Sequence, residues 1–278
     1  MKRIWLVADD YGITPAVNGA IRDLVARGRL SATSVMVVAP GFNADEARQL
    51  RGAAREARAA IGLHLTLTAP FAPLTRDYAP LAGGKFLPLG KTMAFAFLGR
   101  LDRLKLKAEI RAQIDAFAAA FGCSPDYIDG HQHAHLLPPV TDALLDAVKE
   151  AAPGAWMRQC GRAAGAPGDR KAWVLDFLSR RFRARAAAAG VATNPAFAGT
   201  YGFAPGADFA ALFPAFLEGL PDGGLVMCHP GIADDALRAL DPLTTLREHE
   251  YAYFRGEAFP AALAAADATL MRPDAAEA

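Results

Sequence analysis

Short apolar runs and longer stretches of helical spacing alternate along this chain. The first run, Ile4-Trp5-Leu6-Val7-Ala8, has the length of a strand and stops at two adjacent acids in Asp9-Asp10-Tyr11-Gly12. Thr14 before Pro15 reads as the N-cap and first position of a helix that carries Val17, Ile21, Leu24 and Val25 on one face and ends at Gly28. A β-branched run over 33–39 and an Ala/Arg/Glu-rich helix over 44–59 follow. The stretch 61–68 then alternates strictly, sending Leu63, Leu65 and Leu67 toward covering helices and Gly62, His64, Thr66 and Thr68 into a polar lumen. Leu106, Ile110, Ile114, Phe117 and Phe121 mark one face of a further helix, closed by Gly122. Beyond it the pattern predicts strands at 127–129, 155–158, 190–193 and 224–228, and helices at 138–151, 169–189 and 208–217. The segment 197–203 reads as looser, and Asp241-Pro242 is expected to cap a last helix carrying Arg247, Glu248 and His249. About seven strands alternating with helices imply parallel pairing through right-handed crossovers, so an α/β barrel is expected first and a doubly wound open sheet second.

Between strand three and the next helix, 69–99 is rich in proline and glycine and ends in Met93-Ala94-Phe95-Ala96-Phe97-Leu98. It reads as a long excursion inside one domain, its apolar end packing beneath the loop, forming a homodimer contact or covering a substrate. The 278 residues, 53% of them hydrophobic, suffice for one large core, so a single domain spanning 1–278 is expected. Thirty basic residues against 29 acids leave +1, interleaved, which gives no sign of a nucleic-acid partner. No run approaches the roughly 18 apolar residues of a membrane span. Lys2 and Arg3 precede an apolar stretch, but five residues later the acids interrupt it, so no secretory signal is read and a cytoplasmic location is expected. Cys123, Cys160 and Cys228 have neither the number nor the spacing of a disulfide framework or thiolate zinc site.

The chemistry gathers at strand ends. Buried carboxylates need a cation, a hydrogen-bond network or a substrate, and a turn-former or cap accounts for only one Asp of the opening pair. His64, His131, His133, His135 and His229 all lie at or just past a strand, the side that forms the active face of barrels. In Asp129-Gly130-His131-Gln132-His133-Ala134-His135, extended spacing would put three imidazoles on one side. An Asp and two His from different strands make a three-ligand metal site with a position open for water. His133 and His135 are read as structural or substrate-side, and His249 as part of a surface or capping network with Arg247 and Glu248.

These motifs together resemble the YdjC-like carbohydrate deacetylases, which include chitooligosaccharide deacetylases and a branch associated with hopanoid glycolipid synthesis. The likeness runs through Ala8-Asp9-Asp10-Tyr11-Gly12 with Asn18, Ser34, Gly62-Leu63-His64-Leu65, Asp129 to His135, and His229-Pro230-Gly231. Tyr11 stands where the family more often has phenylalanine. The resemblance implies a distorted (β/α) barrel and a divalent metal, magnesium or zinc, on Asp10, His64 and His131. Related polysaccharide deacetylases suggest Asp9 as base and His229 as acid. The implied reaction removes acetyl from an N-acetylated sugar, an oligosaccharide or a lipid-linked one, with water activated at the metal. Arg158, at a strand end, is read as orienting Asp9 or binding a sugar oxygen, with His133 and Tyr201 as further sugar contacts. Two other functions are weighed. A barrel amidohydrolase would carry its HxH pair on the first strand, where this chain has Asp9-Asp10; a non-catalytic, metal-dependent sugar-binding protein would need neither Asp9 nor His229.

Overall fold

A computed structural model describes residues 1–166, 170–204 and 206–273. Its strands are β1 (Lys2–Tyr11), β2 (Ala32–Val35), β3 (Ala60–Leu65), β4 (Leu81–Ala82), β5 (Lys85–Phe86), β6 (Tyr127–Gly130), β7 (Trp156–Met157), β8 (Phe197–Ala198), β9 (Leu225–Cys228) and β10 (Ala268–Leu270). The helices are α1 (Pro15–Ala26), α2 (Ala44–Ala57), α3 (Leu89–Phe97), α4 (Arg103–Phe121), α5 (Val140–Ala151), α6 (Arg170–Ala188), α7 (Phe209–Leu217), α8 (Asp235–Leu240), α9 (Thr245–Arg255) and α10 (Ala258–Ala265). Seven strands pair in parallel in the order β7-β6-β3-β2-β1-β9-β8, and β10 adds to the start of β1. Among the described residues the two outer edges meet through a bridge of Met157 with Thr193 and the bond from Phe197 N to Gly161 O at 2.9 Å. The sheet therefore curls into a distorted (β/α) barrel that single contacts, rather than a ladder, draw together.

The reasons are local. β1 runs through the middle of the sheet, and Leu6, Val7 and Ala8 are buried in succession, as expected of a parallel strand covered on both faces. The Thr14 side chain accepts from Val17 N and starts α1, while Gly122 at φ 73° ends α4, whose predicted apolar face is buried throughout. Gly62 has no side chain for a physical reason: a Cβ there would sit 2.4 Å from the Tyr127 ring that fills the lumen below the site.

Several expectations are corrected. Among the described residues no strand forms at 190–193, where Thr193 makes an isolated bridge to Met157. The Asn194 amide takes over the pairing there, accepting from Gln159 N and donating to Gln159 O and Ala196 O, and the strand forms at Phe197–Ala198 instead. Asp241 does not cap the start of α9, whose N-cap is Thr244 with no side-chain bond; it closes α8 instead, and its carboxylate accepts from Leu243 N and from Arg247. The predicted start of the helix at Asp169 lies outside the described residues.

The excursion after β3 is built. It holds the β4–β5 hairpin and α3, and the Glu109 carboxylate on α4 fastens it by accepting from Leu74 N, Thr75 N and the Thr75 hydroxyl. Among the described residues no helix is long and apolar enough to cross a membrane.

Candidate active site

The opening acids sit on a bulge. Pairing of β1 with β2 is regular to Ala8 and shifts before Tyr11, so Asp9 and Asp10 occupy the irregular step. Asp10 adopts φ 67°, a left-handed conformation that aspartate tolerates better than most residues, and this brings both carboxylates to the barrel's end despite their adjacency. Tyr11 points away, its hydroxyl donating to Glu46 Oε2 at 2.8 Å.

Three elements then converge on Asp10. Its Oδ1 lies 3.3 Å from His64 Nε2 on β3 and 3.1 Å from His131 Nδ1 just past β6. All three residues are buried, and their candidate ligand atoms fall within 4.8 Å of one another. His64 is opposite Asp129 in the β3–β6 register, and its Nδ1 is 2.6 Å from Asp129 Oδ1 and 3.1 Å from Ser34 Oγ. With Nδ1 occupied by a carboxylate, Nε2 is the nitrogen left for a cation. Burial alone favours neutral imidazole, yet the charges of Asp129 and Asp9 push the His64 pKa up to about 10. The donor set at this position, one carboxylate and two imidazoles, suits zinc and, through its oxygens and added water, magnesium. The residues fit a divalent ion. Asp9, His64 and Asp129 form a second close group, but Arg158 already engages both of its aspartates.

Arg158 has no exposed surface. It donates to both oxygens of Asp9, at 2.7 and 2.8 Å, and lies 3.1 Å from Asp129 Oδ2. It is placed beneath Asp9 and outside the cleft lining, so of the two readings given to it the geometry is that of orienting the acid. His229, after β9, brings Nε2 to 4.0 Å from Asp9 Oδ2. Burial pushes its pKa down to about 4.

The 131–135 segment does not run extended. It is a 3₁₀ turn in which Gln132 and His133 take left-handed conformations, so the three imidazoles separate. His131 faces Asp10, whereas His133 lines the cleft wall with its Nδ1 3.4 Å from Cys160 Sγ. His135 turns inward and donates from Nε2 to the Arg158 carbonyl at 2.8 Å, its pKa pushed down to about 3 by burial. Tyr201 lies behind the cleft. Its hydroxyl donates to Glu250 at 2.7 Å and its ring packs 4.2 Å from that of Phe203, which does line the cleft and meets His229 edge-on.

Two residues of α9 go beyond what the sequence pattern suggests. Arg247, read as part of a surface network, is fully buried; it donates to Asp10 Oδ2 at 2.6 Å and Asp241 Oδ2 at 2.9 Å. Burial works against ionised Asp10, but Arg247 and the two imidazoles hold its carboxyl well below the usual range. Glu250, also buried, accepts from the Tyr201 hydroxyl and from His229 N–H. The available signal was spacing: Arg247 and Glu250 share a helix face with buried Leu246, Tyr253 and Phe254. His249, on the other side, is exposed as expected. The cleft these groups enclose has a volume of about 370 Å³, within the range of small-molecule sites.

A curled parallel barrel with an aspartate and two histidines from separate strands, beside an aspartate clamped by arginine, is an α/β barrel with a candidate metal site. The chain belongs to a particular family of them, the YdjC-like proteins, whose family pattern matches residues 3–265. It is 32% identical over 152 residues to a human carbohydrate deacetylase, covering 53% of this chain and 45% of that one. It is 29% identical over 151 residues to a chitooligosaccharide deacetylase of Proteus mirabilis, covering 52% and 54%. The chain thus spans about half the length of the curated relatives it matches. In fold it is similar to an Enterococcus faecalis protein provisionally described as a cellobiose-phosphate cleavage protein, at TM-score 0.75 and 21% identity over 98% and 97% of the chains. It is also similar to a family 4 carbohydrate esterase of Streptomyces lividans, at TM-score 0.50 and 10% identity over 98% of each.

Proposed function

We propose that the protein is a metal-dependent carbohydrate N-deacetylase whose single catalytic domain removes acetyl from an N-acetylated sugar. The observation that carries this is the division of the opening pair: Asp10 converges with His64 and His131, while both oxygens of Asp9 are engaged by Arg158. Relatives named carbohydrate deacetylase and chitooligosaccharide deacetylase support it.

Asp10, His64 and His131 would hold the ion, with Asp129 orienting His64 and Arg247 orienting Asp10. A bound divalent ion supplies polarisation of the amide carbonyl and a water acidified toward neutrality. Asp9, fixed by two hydrogen bonds, takes the proton of the attacking water. The leaving nitrogen needs a proton, and His229, just past the β9 strand that pairs with β1, supplies it. Because its pKa of about 4 leaves the resting imidazole neutral, the proton it gives is the one Asp9 has released across their 4.0 Å separation. His133 and Phe203 line the cleft where the sugar would lie. Tyr201 acts through Phe203 and Glu250.

The test is acetate release from N-acetylglucosamine oligosaccharides together with metal content. Asp10→Asn should weaken metal affinity about tenfold or more. Asp9→Asn should bind the ion nearly as well and lose about two to four orders of magnitude in turnover. Empty Asp9→Asn beside loaded, inactive Asp10→Asn would reverse the roles. A loaded wild type that binds these sugars and releases no acetate would make this a sugar-binding protein instead.

A further inference from the structure

The outer face of α6 is built differently from the rest of the surface. Trp173 and Phe177 are each 68% exposed and Val174 is 47% exposed, while Leu175, Leu178 and Phe182 on the same helix are buried. The helix has its core-facing side already, and the exposed trio, at positions i, i+1 and i+4, makes a second apolar strip facing away from it. Isolated apolar residues on a surface are ordinary; two large aromatics on consecutive turns are a contact in search of a partner.

Charge says what kind. The next turns carry Arg180, Arg181 and Arg183, all exposed. Nearby, Arg162 pairs with Asp176 and Arg185 with Asp142, which accounts for those two acids. Arg180 and Arg183 have no ion pair among the described residues, and with Arg162 and Trp173 they line an open cavity of about 800 Å³. The Arg162 guanidinium sits 5.6 Å over the Trp173 ring and steadies it. A second copy of this chain is a poor occupant, because a two-fold contact through this face would set its arginines against themselves. Aromatic side chains beside unpaired guanidinium groups on one exposed helix are what a helix at a bilayer surface needs, the rings entering the interface and the arginines meeting phosphates.

We infer that the outer face of α6, through Trp173, Val174 and Phe177 with Arg180, Arg181 and Arg183, docks on the surface of an anionic lipid bilayer. α6 follows β7, so its first turns share the side of the sheet that carries the cleft, and Cys160 in the connection touches the cleft-wall residue His133. Docking by this face therefore holds the mouth of the site near the lipid surface.

The experiment is co-sedimentation of the full chain with vesicles of phosphatidylcholine alone or mixed with phosphatidylglycerol, with tryptophan emission as a second readout. Trp5 and Trp156 are half-buried and pack on each other at 5.4 Å, away from α6, so a blue shift on adding vesicles that is lost in Trp173→Ala/Phe177→Ala reports Trp173. Binding should require phosphatidylglycerol and weaken with salt. It should fall about tenfold or more in Arg180→Ala/Arg183→Ala and again in Trp173→Ala/Phe177→Ala. Each variant should retain the wild-type circular dichroism spectrum and its rate on soluble oligosaccharide. No binding by the wild type to mixed vesicles overturns the proposal, as does binding that neither double substitution weakens. A concentration-dependent dimer that Trp173→Ala/Phe177→Ala dissociates would overturn it in favour of a second copy.

Discussion

The Glu250 carboxylate lies under the cleft, taking hydrogen bonds from the Tyr201 hydroxyl and the His229 backbone N–H. Burial pushes its pKa from 4.5 up to about 7, although both donors pull the other way. An acid raised on folding holds its proton more tightly in the folded state. Its contribution to stability is full below about pH 4.5 and is lost as pH rises through about 7. Glu250→Gln keeps the shape and removes the titration, so it should flatten the fall in stability over that window by up to about 3 kcal/mol, read from urea midpoints across the pH range. Equal slopes in wild type and variant would mean that Glu250 is ionised throughout. Glu250 and its neighbour Arg247 are hard to read in the sequence because charged helix positions are ordinarily solvent-facing, and only a buried aspartate contributed by β1, 237 residues away, makes Arg247 intelligible. Asp10, His64 and His131 are legible for the opposite reason. Acids and imidazoles at the ends of apolar strands have no ordinary explanation.

At the scale of elements, the excursion after β3 depends on one side chain. Glu109 is buried on α4, accepts from the backbone of Leu74 and Thr75, and is itself braced by Gln113 Nε2 at 2.8 Å. The segment it anchors carries Phe71, whose ring meets His131 edge-on at 5.7 Å, and leads to Leu89 at the cleft. Glu109→Ala leaves those N–H groups without their acceptor at about 1–3 kcal/mol. Amide exchange at Leu74 and Thr75 and proteolysis in 74–84 should rise about tenfold or more, with the core of α4 still protected. Loss of protection along all of α4 would show instead that Glu109 serves the helix. Elements with local signals, such as Thr14-Pro15 opening α1 and Gly122 closing α4, are legible in the amino-acid sequence alone. β8 and the 131–135 turn are not, because each depends on a distant partner: Gly161 and β9 for the strand, the Arg158 carbonyl for His135. Alternation in sequence predicts alternation in space only while the backbone stays extended, and left-handed Gln132 and His133 end that.

For the molecule as a whole, the candidate ligands are also fastenings. Asp10 belongs to β1, His64 to β3 and His131 to the turn after β6, with β2 lying between the first two strands, so one ion would join parts of the sheet that do not pair directly. An unfolded chain cannot present these groups together, and whatever free energy the ion gains on binding the folded form becomes stability. Without the ion the barrel should still stand, because Arg158 and Arg247 already neutralise the acids around the site and β1 pairs with a strand on either side up to Ala8. A free ion concentration of about a hundred times Kd adds about 2.7 kcal/mol. For a chain of this size that is a rise of roughly 5 °C in Tm. The measurement is thermal unfolding after chelation and after readdition of zinc or magnesium, with each variant compared with its own chelated form so that packing losses cancel. His64→Ala and His131→Ala should lose the rise and Asp10→Asn should lose about half of it or more, whereas Asp9→Asn and His133→Ala should keep it. Because this readout needs no substrate, it tests the ion's address independently of the proposed reaction. A metal-dependent rise in Asp10→Asn equal to that of the wild type would place the ion somewhere other than the end of β1.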